Sequence, residues 1–525
     1  MKYFSLPKIL VVVIIGVLIA RKIIVDTNTA IIISCGFIVF IIIGSILFNK
    51  HFYKYRLLHV IVILPCLLAG LTLQVTNNSI FYNYETTEFQ KSTLLKVTST
   101  PKLKGKNYRF KCKIINHKNI PNAFVYIRNN EIEVLPKRYD IIQTNKKINL
   151  IENSETSTFD FKKYCINNNI AYSIYINNSD INLVDLNNRK THLFFEKIQE
   201  SLANRLMYYL QDSIYYSIAA ALILGYDQLT HETRSTFSAT GAIHVLCVSG
   251  LHVSTIFMLI TFFLKPLNNL YFRRYITPII TLILLWVYAA ITGFSPSVAR
   301  ASFMLSFILI GRLINRDVIT INALCGAAII MIISNPNIIY NVGFQLSFGA
   351  VFGIIFFNNE INNRLLKINE LTKKIRYFPT KLLEKILGLI SVSISVQMLL
   401  APALLYYFKI FPNYFLFANM AAIPLATIIL YLGIFLLIIS PIEFLASIVG
   451  KALYFIIKLL LSSINFIHNI PFSTCEISGL KISQVLLCLI FIFIFINLLR
   501  FGLSAKKIIY SLIVIIIFIV SLIIQ

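Results

Sequence analysis

One stretch, residues 239–256, places polar side chains inside a segment that is apolar enough to cross a bilayer. His244, Ser249, Gly250 and His252 lie there among valine, leucine and isoleucine. In hydrocarbon each polar group needs an internal partner or water, and it costs about 1–3 kcal/mol when it has neither. Glycine lacks a Cβ and serine competes for backbone carbonyls, so the pair at 249–250 weakens a helix. The stretch predicts a broken membrane helix that faces a polar interior.

The composition is that of a polytopic membrane protein. Hydrophobic residues make up 57% of the 525 residues and charged residues 13%, and many apolar runs are uninterrupted. The formal net charge of +26 fits either attraction to anionic membrane lipids or a polyanionic substrate such as nucleic acid. The eight cysteines form no CxxC pair and no Cys/His ligand pattern. We therefore expect no metal and no cofactor.

The apolar runs divide the chain into residues 1–75, 76–192 and 193–525. The first part holds three apolar segments, and its basic loop at 49–56 indicates a cytoplasmic side, which places the chain after Gln74 outside. The last part returns to the membrane after an amphipathic helix, and a charged interval at 358–385 is predicted as a cytoplasmic linker. At ~20 residues per span the chain has roughly twelve or thirteen spans. They are predicted at 6–20, 29–48, 57–75, 241–264, 276–293, 297–314, 319–334, 342–357, 387–407, 413–439, 444–467, 482–499 and 508–524.

Residues 76–192 contain short alternating runs in place of long apolar ones. In Asn107–Ile114 the side chains of Arg109, Lys111 and Lys113 alternate with apolar ones, which indicates a half-buried strand with a basic face. Further strands are predicted at 93–98, 123–128, 140–144, 148–152 and 172–176. The fold class is thus a polytopic α-helical membrane protein with an inserted small β-rich, OB-like extracytoplasmic domain.

The basic face of this domain has two readings. It is either a surface for single-stranded nucleic acid, as in OB-folds, or an ordinary solvated sheet face. Cys112 and Cys165 are the only cysteines of the domain, and export makes a disulfide between them a candidate.

The spans after residues 239–256 carry polar residues of the same kind as that stretch. A helix start holds Ser295, Pro296 and Arg300, with Arg312 further along, and other spans hold Gln345 and Ser347, Gln397, and Asn419. Singly, an arginine can snorkel to the interface, and amides or hydroxyls can join helices by hydrogen bonds. Together they indicate a wet path through the bundle.

A catalytic site is the weaker interpretation of these residues. Ser249 and His252 are three residues apart and adjoin in a helix, but a serine hydrolase also needs an acid that orients the histidine. The nearest acids, Asp227 and Glu232, belong to the preceding loop. We therefore expect a protein that is not an enzyme.

The sequence resembles the competence-protein family of bacterial inner-membrane DNA-uptake channels, the ComEC type. The matching motifs are residues 239–253 (ATGAIHVLCVSGLHV), 288–301 (YAAITGFSPSVARA), 322–324 (NAL), 335–336 (NP), 343–348 (GFQLSF), Gln397 with Pro402 and 406–408 (YYF), Asn419 with Pro424, and 159–164 (FDFKKY). Ser254 stands where the family usually has glycine. Many members also carry a C-terminal metallo-β-lactamase-like domain, whose His-x-His-x-Asp-His signature is absent here.

The resemblance implies a multi-pass protein of the cytoplasmic membrane that passes single-stranded DNA during natural transformation. It also implies partners: the DNA strand, membrane lipids, and other competence proteins such as a DNA receptor and a cytoplasmic motor. A polyanion that crosses a low-dielectric slab needs water and positive charge along its route, and Arg300 and Arg312 are the candidates. A transporter of another anionic or lipid-linked substrate would use the same broken helices, and a scaffold without transport also remains open.

Overall fold

The computed structural model describes residues 6–20, 93–99, 101–104, 107–115, 122–128, 136, 140–146, 148–153, 161–168, 170–177, 182–184, 193–265, 275–372, 380–476 and 480–501. The predicted spans at 29–48, 57–75 and 508–524 lie outside these residues. Two compact units divide the chain. One consists of Met1–Phe194 with Cys325–Val342, and the other of Phe195–Leu324 with Gly343–Gln525.

The first unit begins with helix α1 (Leu6–Ala20) and contains a mixed β-sheet. In chain order the elements are β1 (Thr93–Val97), β2 (Lys102–Lys104), β3 (Asn107–Ile114), β4 (Asn122–Arg128), β5 (Ile141–Thr144), β6 (Asn149–Leu150), α2 (Phe161–Asn167), β7 (Ile170–Ile176) and β8 (Asn182–Val184). The six predicted strands are confirmed, each within two residues at either end.

The sheet has the strand order β6-β7-β4-β3-β1-β5-β8, and β2 pairs with β3. Strand β5 returns to lie beside β1, so β5, β1, β3 and β4 form a Greek key of antiparallel neighbours. Strands β4 and β7 are parallel, and the chain between them includes helix α2. A β-rich region in the first half of the chain is therefore confirmed.

The alternating sequence of β3 divides its side chains between two faces of the sheet. Phe110, Cys112 and Ile114 are buried in an apolar core that also contains Leu95 and Ile174. The side chains of Arg109 and Lys111 are half-buried on the other face. The period-two pattern thus predicted this strand and its faces correctly.

The candidate disulfide between Cys112 and Cys165 is not formed, because both residues are free thiols. Cys112 belongs to the core on one face of the sheet. Cys165, on α2, is buried with Phe124 and Ile170 in a separate cluster, on the face that carries Arg109 and Lys111. The sheet itself therefore lies between the two sulfur atoms.

The rest of the chain is mostly helical. The elements are α3 (Leu193–Leu210), α4 (Ser213–Leu224), α5 (His231–Ala239), α6 (Ile243–Leu246), α7 (Gly250–Leu264), α8 (Thr277–Ile291), α9 (Pro296–Leu313), α10 (Thr320–Ser334), a 3-10 turn (Pro336–Tyr340), α11 (Val342–Thr372), α12 (Thr380–Phe408), β9 (Ile410–Pro412), α13 (Phe415–Ile439), α14 (Glu443–His468), β10 (Thr474–Glu476) and α15 (Ile482–Phe501). The predicted linker at 358–385 is corrected in part, since α11 continues to Thr372.

Among the described residues, five helices are long and apolar enough to cross a membrane: Pro296–Leu313, Val342–Lys367, Leu382–Phe408, Phe415–Ile439 and Glu443–His468. The chain is therefore a multi-pass membrane protein. Other predicted spans, including 241–264 and 276–293, form shorter apolar helices. The region described therefore holds fewer full-length spans than the apolar runs predicted.

Helices α13 and α14 form an antiparallel hairpin around the core of the second unit. The buried positions of α14 recur at alternating steps of four and three residues, as in a coiled-coil seam. Those of α13 also lie along one side of the helix, with Ile429 and Leu430 adjacent. Small residues allow close approach. Gly433 of α13 lies against the side chain of Ile223 in α4, and Gly450 of α14 lies against Tyr209. Helix α4 is mostly apolar and is buried in this core from Tyr216 to Leu224, as expected for an apolar helix that is too short to span.

Candidate functional site

The predicted break in the stretch 239–256 is confirmed. Helix α6 ends at Leu246, residues 247–249 are extended, and α7 begins at Gly250. Ser249 is the N-cap of α7, and its hydroxyl oxygen accepts a hydrogen bond from the backbone N–H of Leu251 at 3.2 Å. The break thus has its own capping structure, which offsets the loss of helical hydrogen bonds.

His252 completes a reciprocal cap with Ser249. Its Nδ1 atom accepts the backbone N–H of Ser249 at 3.2 Å and lies 2.9 Å from the Ser249 hydroxyl. Because Nδ1 is an acceptor, the proton of a neutral ring lies on Nε2. The side chain is only 2% exposed, and Nε2 has no hydrogen-bond partner in the described part of the chain. This N–H is thus a buried donor without an acceptor.

Gly250 is a point of close approach between α7 and α9. A Cβ atom at this position would collide with Nη2 of Arg300, and its next neighbour at normal distance would be the Cβ of Ala301. Glycine fits this position because it has no Cβ. The structure identifies a cationic side chain as the group that comes close.

Arg300 is a buried cation without a counter-ion among the described residues. Its side chain is 6% exposed. Nη1 donates to the backbone carbonyl of Ser347, the guanidinium lies 5.9 Å from the ring of Phe348, and Nε has no partner. A buried charge that lacks an ion pair is costly. The position therefore favours an anion or water as the missing partner.

The turn before α9 places Arg300 in this cluster. Gly293 has a left-handed φ of +77°, and Ser295 caps α9 by accepting the backbone N–H of Val298 at 3.4 Å. Pro296 occupies the first turn, where a missing N–H costs nothing. The hydroxyl of Ser347 in α11 donates to that of Ser297 at 3.0 Å. Three helix starts, those of α7, α9 and α11, therefore meet at one polar cluster.

The remaining predicted path residues lie apart from this cluster or have other partners. Arg312 is exposed at the end of α9, 5.9 Å from the ring of Phe257. Gln345 accepts a hydrogen bond from the Tyr407 hydroxyl at 2.6 Å, and Asn419 donates to Ser393 at 3.4 Å. The structure therefore brings together five of the predicted residues: Ser249, Gly250, His252, Arg300 and Ser347.

Two further predicted residues have separate environments. The side-chain nitrogen of Gln397 is buried without a partner in the described region, and His244 is bonded to the carbonyl of Gly241 at 3.0 Å. Ser297 and Tyr407 belong to the matching motifs, but the sequence interpretation assigned neither of them, nor Ser393, to the path. All three are partners of predicted residues. A serine or tyrosine in an apolar run was the available signal, but it is common in membrane helices.

A second candidate site lies on the face of the sheet that carries Arg109 and Lys111. The strand register aligns Arg109 of β3 with Tyr126 of β4, and Tyr126 with Tyr175 of β7. The rings of Tyr126 and Tyr175 are stacked at 4.9 Å, and Tyr175 is 58% exposed. Arg109 also lies 4.6 Å from the ring of Phe124. We call Lys96, Arg109, Lys111, Lys113, Tyr126 and Tyr175 the aromatic–basic face.

Burial and charge shift the titration of this face. Lys111 is partly covered, and burial lowers the pKa of its ammonium group. Burial also raises the pKa of Tyr126. A hydrogen bond between Arg109 and the Tyr126 hydroxyl lowers this pKa and partly offsets the effect of burial. Lys96 of β1 lies directly opposite Lys113 of β3 in the register. Like charges in such a pair are destabilising, so the arrangement favours an anionic ligand.

Comparison with known proteins identifies the family. The family described as Competence protein matches residues 222–502, a range that includes α6, α7, α9 and the polar cluster. The chain belongs to this family. ComE operon protein 3 of Bacillus subtilis (strain 168) is 28% identical over 196 residues, which are 37% of this chain and 23% of that protein. An uncharacterized protein of Aquifex aeolicus (strain VF5) is 28% identical over 163 residues, 30% of this chain and 38% of that protein.

The chain thus matches less than half the length of either relative. No solved structure matches the chain. The aromatic–basic face lies before residue 222, outside the range that the family match covers.

In the described residues, the polar cluster of this competence protein consists of helix caps and a buried charge. Ser249 and His252 are within hydrogen-bond distance. However, the Nδ1 atom that faces the hydroxyl also accepts the backbone N–H of Ser249, and no described carboxylate bonds to Nε2. The residues described contain no group of three or more metal ligands. The geometry supports a polar break in the membrane domain.

Proposed function

We propose that this protein passes single-stranded DNA across the cytoplasmic membrane during natural transformation. In this proposal the β-sheet unit is an OB-like domain on the outer side that holds the incoming strand. The helical part provides a wet path, to which Arg300 contributes positive charge. No bond is made or broken in the transported strand. A DNA receptor outside and a cytoplasmic motor are the expected partners.

The aromatic–basic face carries this proposal. Single-stranded nucleic acid is held by basic grooves that follow the backbone and by aromatic rings on which bases stack. Here the exposed ring of Tyr175 stacks on the half-buried ring of Tyr126, which lies beside Arg109 on the adjacent strand. Lys96 lies opposite Lys113. Membership of the competence family supports the same function. A substrate without bases would use the lysines but gain nothing from the tyrosine pair.

The first experiment measures binding by the full-length protein in detergent or nanodiscs. A fluorescent oligothymidylate is titrated at two salt concentrations, and the affinity should fall steeply as salt rises, because phosphate contacts release counterions. Tyr175→Ala should weaken binding by roughly tenfold, since stacking contributes about 1–3 kcal/mol per base. Tyr208→Ala, an exposed tyrosine on α3, is the matched control. Equal binding of inorganic polyphosphate would favour another anionic substrate.

The second experiment tests passage in cells. A strain that lacks the protein is assayed for entry of labelled DNA into the cytoplasm, separately from DNA binding at the surface. We expect surface binding to persist and entry to be lost. Normal entry in this strain would contradict the proposed function whatever the binding experiment shows.

A further inference from the structure

One face of α14 carries polar side chains at membrane depth that neither the sequence interpretation nor the polar cluster includes. Lys451, Lys458, Ser462 and Asn465 are all exposed. They recur at steps of seven, four and three residues, so they lie on one side of the helix. Exposed Phe455 lies on the same side, between the two lysines. We call these four residues the α14 polar stripe.

Helix α14 spans the membrane because its partner does. Helix α13 contains no charged residue, has a mean hydropathy of 2.7, and packs against α14 as an antiparallel hairpin. The buried positions of α14 extend from Ala446 to Ile467, nearly the whole helix, and they fall on the side away from the polar stripe. Because α14 packs against α13 along nearly its whole length, α14 crosses the membrane where α13 does.

The position of Lys458 excludes an ordinary lipid-facing environment. At 1.5 Å per residue, Lys458 lies about 4 Å from the midpoint of the helix and about 15 Å from its nearer end. A lysine at that depth does not reach the interface by snorkelling, which relieves only residues near helix ends. Neither lysine has an ion-pair or hydrogen-bond partner among the described residues, and the same holds for the side chains of Ser462 and Asn465. The stripe therefore faces water or an anionic partner.

We propose that the α14 polar stripe lines the aqueous path and contacts phosphate groups of the passing strand. This inference rests on the proposed function and adds the residues that line the path. Charge complementarity identifies the occupant: two ammonium groups about 10.5 Å apart along the helix, with hydrogen-bonding side chains beyond them, match a flexible polyanion. The neighbouring position Leu459 is also exposed but lies on an apolar side with Ala452 and Phe466, which faces lipid.

Thiol labelling tests whether the stripe is wet. Lys458→Cys and Leu459→Cys are expressed in the full-length chain and treated in intact cells with a membrane-impermeant, anionic methanethiosulfonate reagent, with the parent chain giving the background of the eight native cysteines. We expect Lys458→Cys to react roughly tenfold faster than Leu459→Cys and added single-stranded DNA to slow the reaction. No reaction at 458, or equal rates at both positions, overturns the inference. Disulfide-linked dimers of Lys458→Cys overturn it too, because they place a second copy on this face.

Charge substitution tests contact with the strand. The double variant Lys451→Gln/Lys458→Gln should lower DNA entry about tenfold at matched membrane levels, and Lys451→Arg/Lys458→Arg should retain it. Lys385→Gln, an exposed lysine near the start of α12, is the control and should change little. Normal entry in the glutamine variant, in a strain whose entry depends on the protein, contradicts this inference alone. Normal entry in the deletion strain contradicts the proposed function instead.

Discussion

Gly250, the first residue of α7, lies directly against the guanidinium group of Arg300, one turn into α9. Arg300 is held in place by its bond to the Ser347 carbonyl of α11 and by its burial. The pair therefore links three helix starts. Space at Gly250 and charge at Arg300 are two requirements of one arrangement, and each can be altered separately.

Added volume at Gly250 should disrupt this arrangement. Gly250→Ala places a Cβ against Arg300, and Gly250→Leu adds more bulk at a site that has no space. Overpacking of this kind costs about 1–3 kcal/mol. We expect DNA entry to fall with Gly250→Ala and to be lost with Gly250→Leu at matched membrane levels. Gly388→Ala is the control, because a Cβ there meets no atom within 4 Å. Equal effects at the two glycines would contradict the close approach.

Loss of the Ser249 hydroxyl should have a milder effect. Ser249→Ala removes the cap of α7, which costs about 1 kcal/mol, and water in a wet site replaces part of the lost bonding. Ser249→Asn retains a good cap and should restore DNA entry. A nucleophilic serine would give the opposite result, with both variants inactive. Entry measured for the two variants beside Gly250→Leu decides between a capping residue and a catalytic one.

The two arginines of α9 should differ in importance. Arg300→Gln removes a buried charge and its bond to Ser347, and it should lower DNA entry about tenfold or more, equivalent to about 1.4 kcal/mol. Arg300→Lys should give an intermediate result, because lysine lacks the planar fork of arginine. Arg312→Gln loses only an exposed contact with Phe257, worth about 0.5–1 kcal/mol, and should remain near wild type. A greater loss of DNA entry in Arg312→Gln than in Arg300→Gln would indicate that the path runs near the end of α9.

The thiols of Cys112 and Cys165 should both be free in the isolated protein. After unfolding without reductant, we expect alkylation of both residues, detected by mass spectrometry. In the folded protein both should react slowly at neutral pH, since burial raises the pKa of Cys112 and raises that of Cys165 to about 11. Exposed Cys475 is the control and should react at once. Recovery of a peptide that links 112 to 165 would contradict the two-faced arrangement.

Local patterns in the sequence predicted much of the fold. Period-two alternation gave the strands and faces of β3, because successive side chains of a strand point to opposite faces. The serine and glycine at 249–250 predicted the break between α6 and α7, because both weaken a helix locally. Helix lengths were less predictable. Apolar runs such as 241–264 read as single spans, but caps and turns divide them or end them early.

Partners across the fold could not be read from the sequence. Arg300 meets Gly250 and Ser347 through packing of α7, α9 and α11, and nothing in the three local sequences specifies that contact. Cys112 and Cys165 are the only two cysteines of the predicted domain, which made a disulfide between them a candidate. The alternating pattern around Cys112, however, already places its side chain on the face opposite the basic residues. Only the position of α2, which packs on that basic face, decided that Cys165 lies there as well.

The sequence by itself determined that this protein is a multi-pass membrane protein with a β-rich insertion and a helix broken near Ser249 and Gly250. These properties follow from composition and from periodicities of two and of about 3.6 residues. The tertiary structure decided which polar residues act together. Long-range packing brings five of them into one cluster, leaves Arg312 exposed, and turns the lysines of α14 away from its hairpin partner. A side chain's distance from residues remote in the chain depends on how helices pack, which local propensity does not encode.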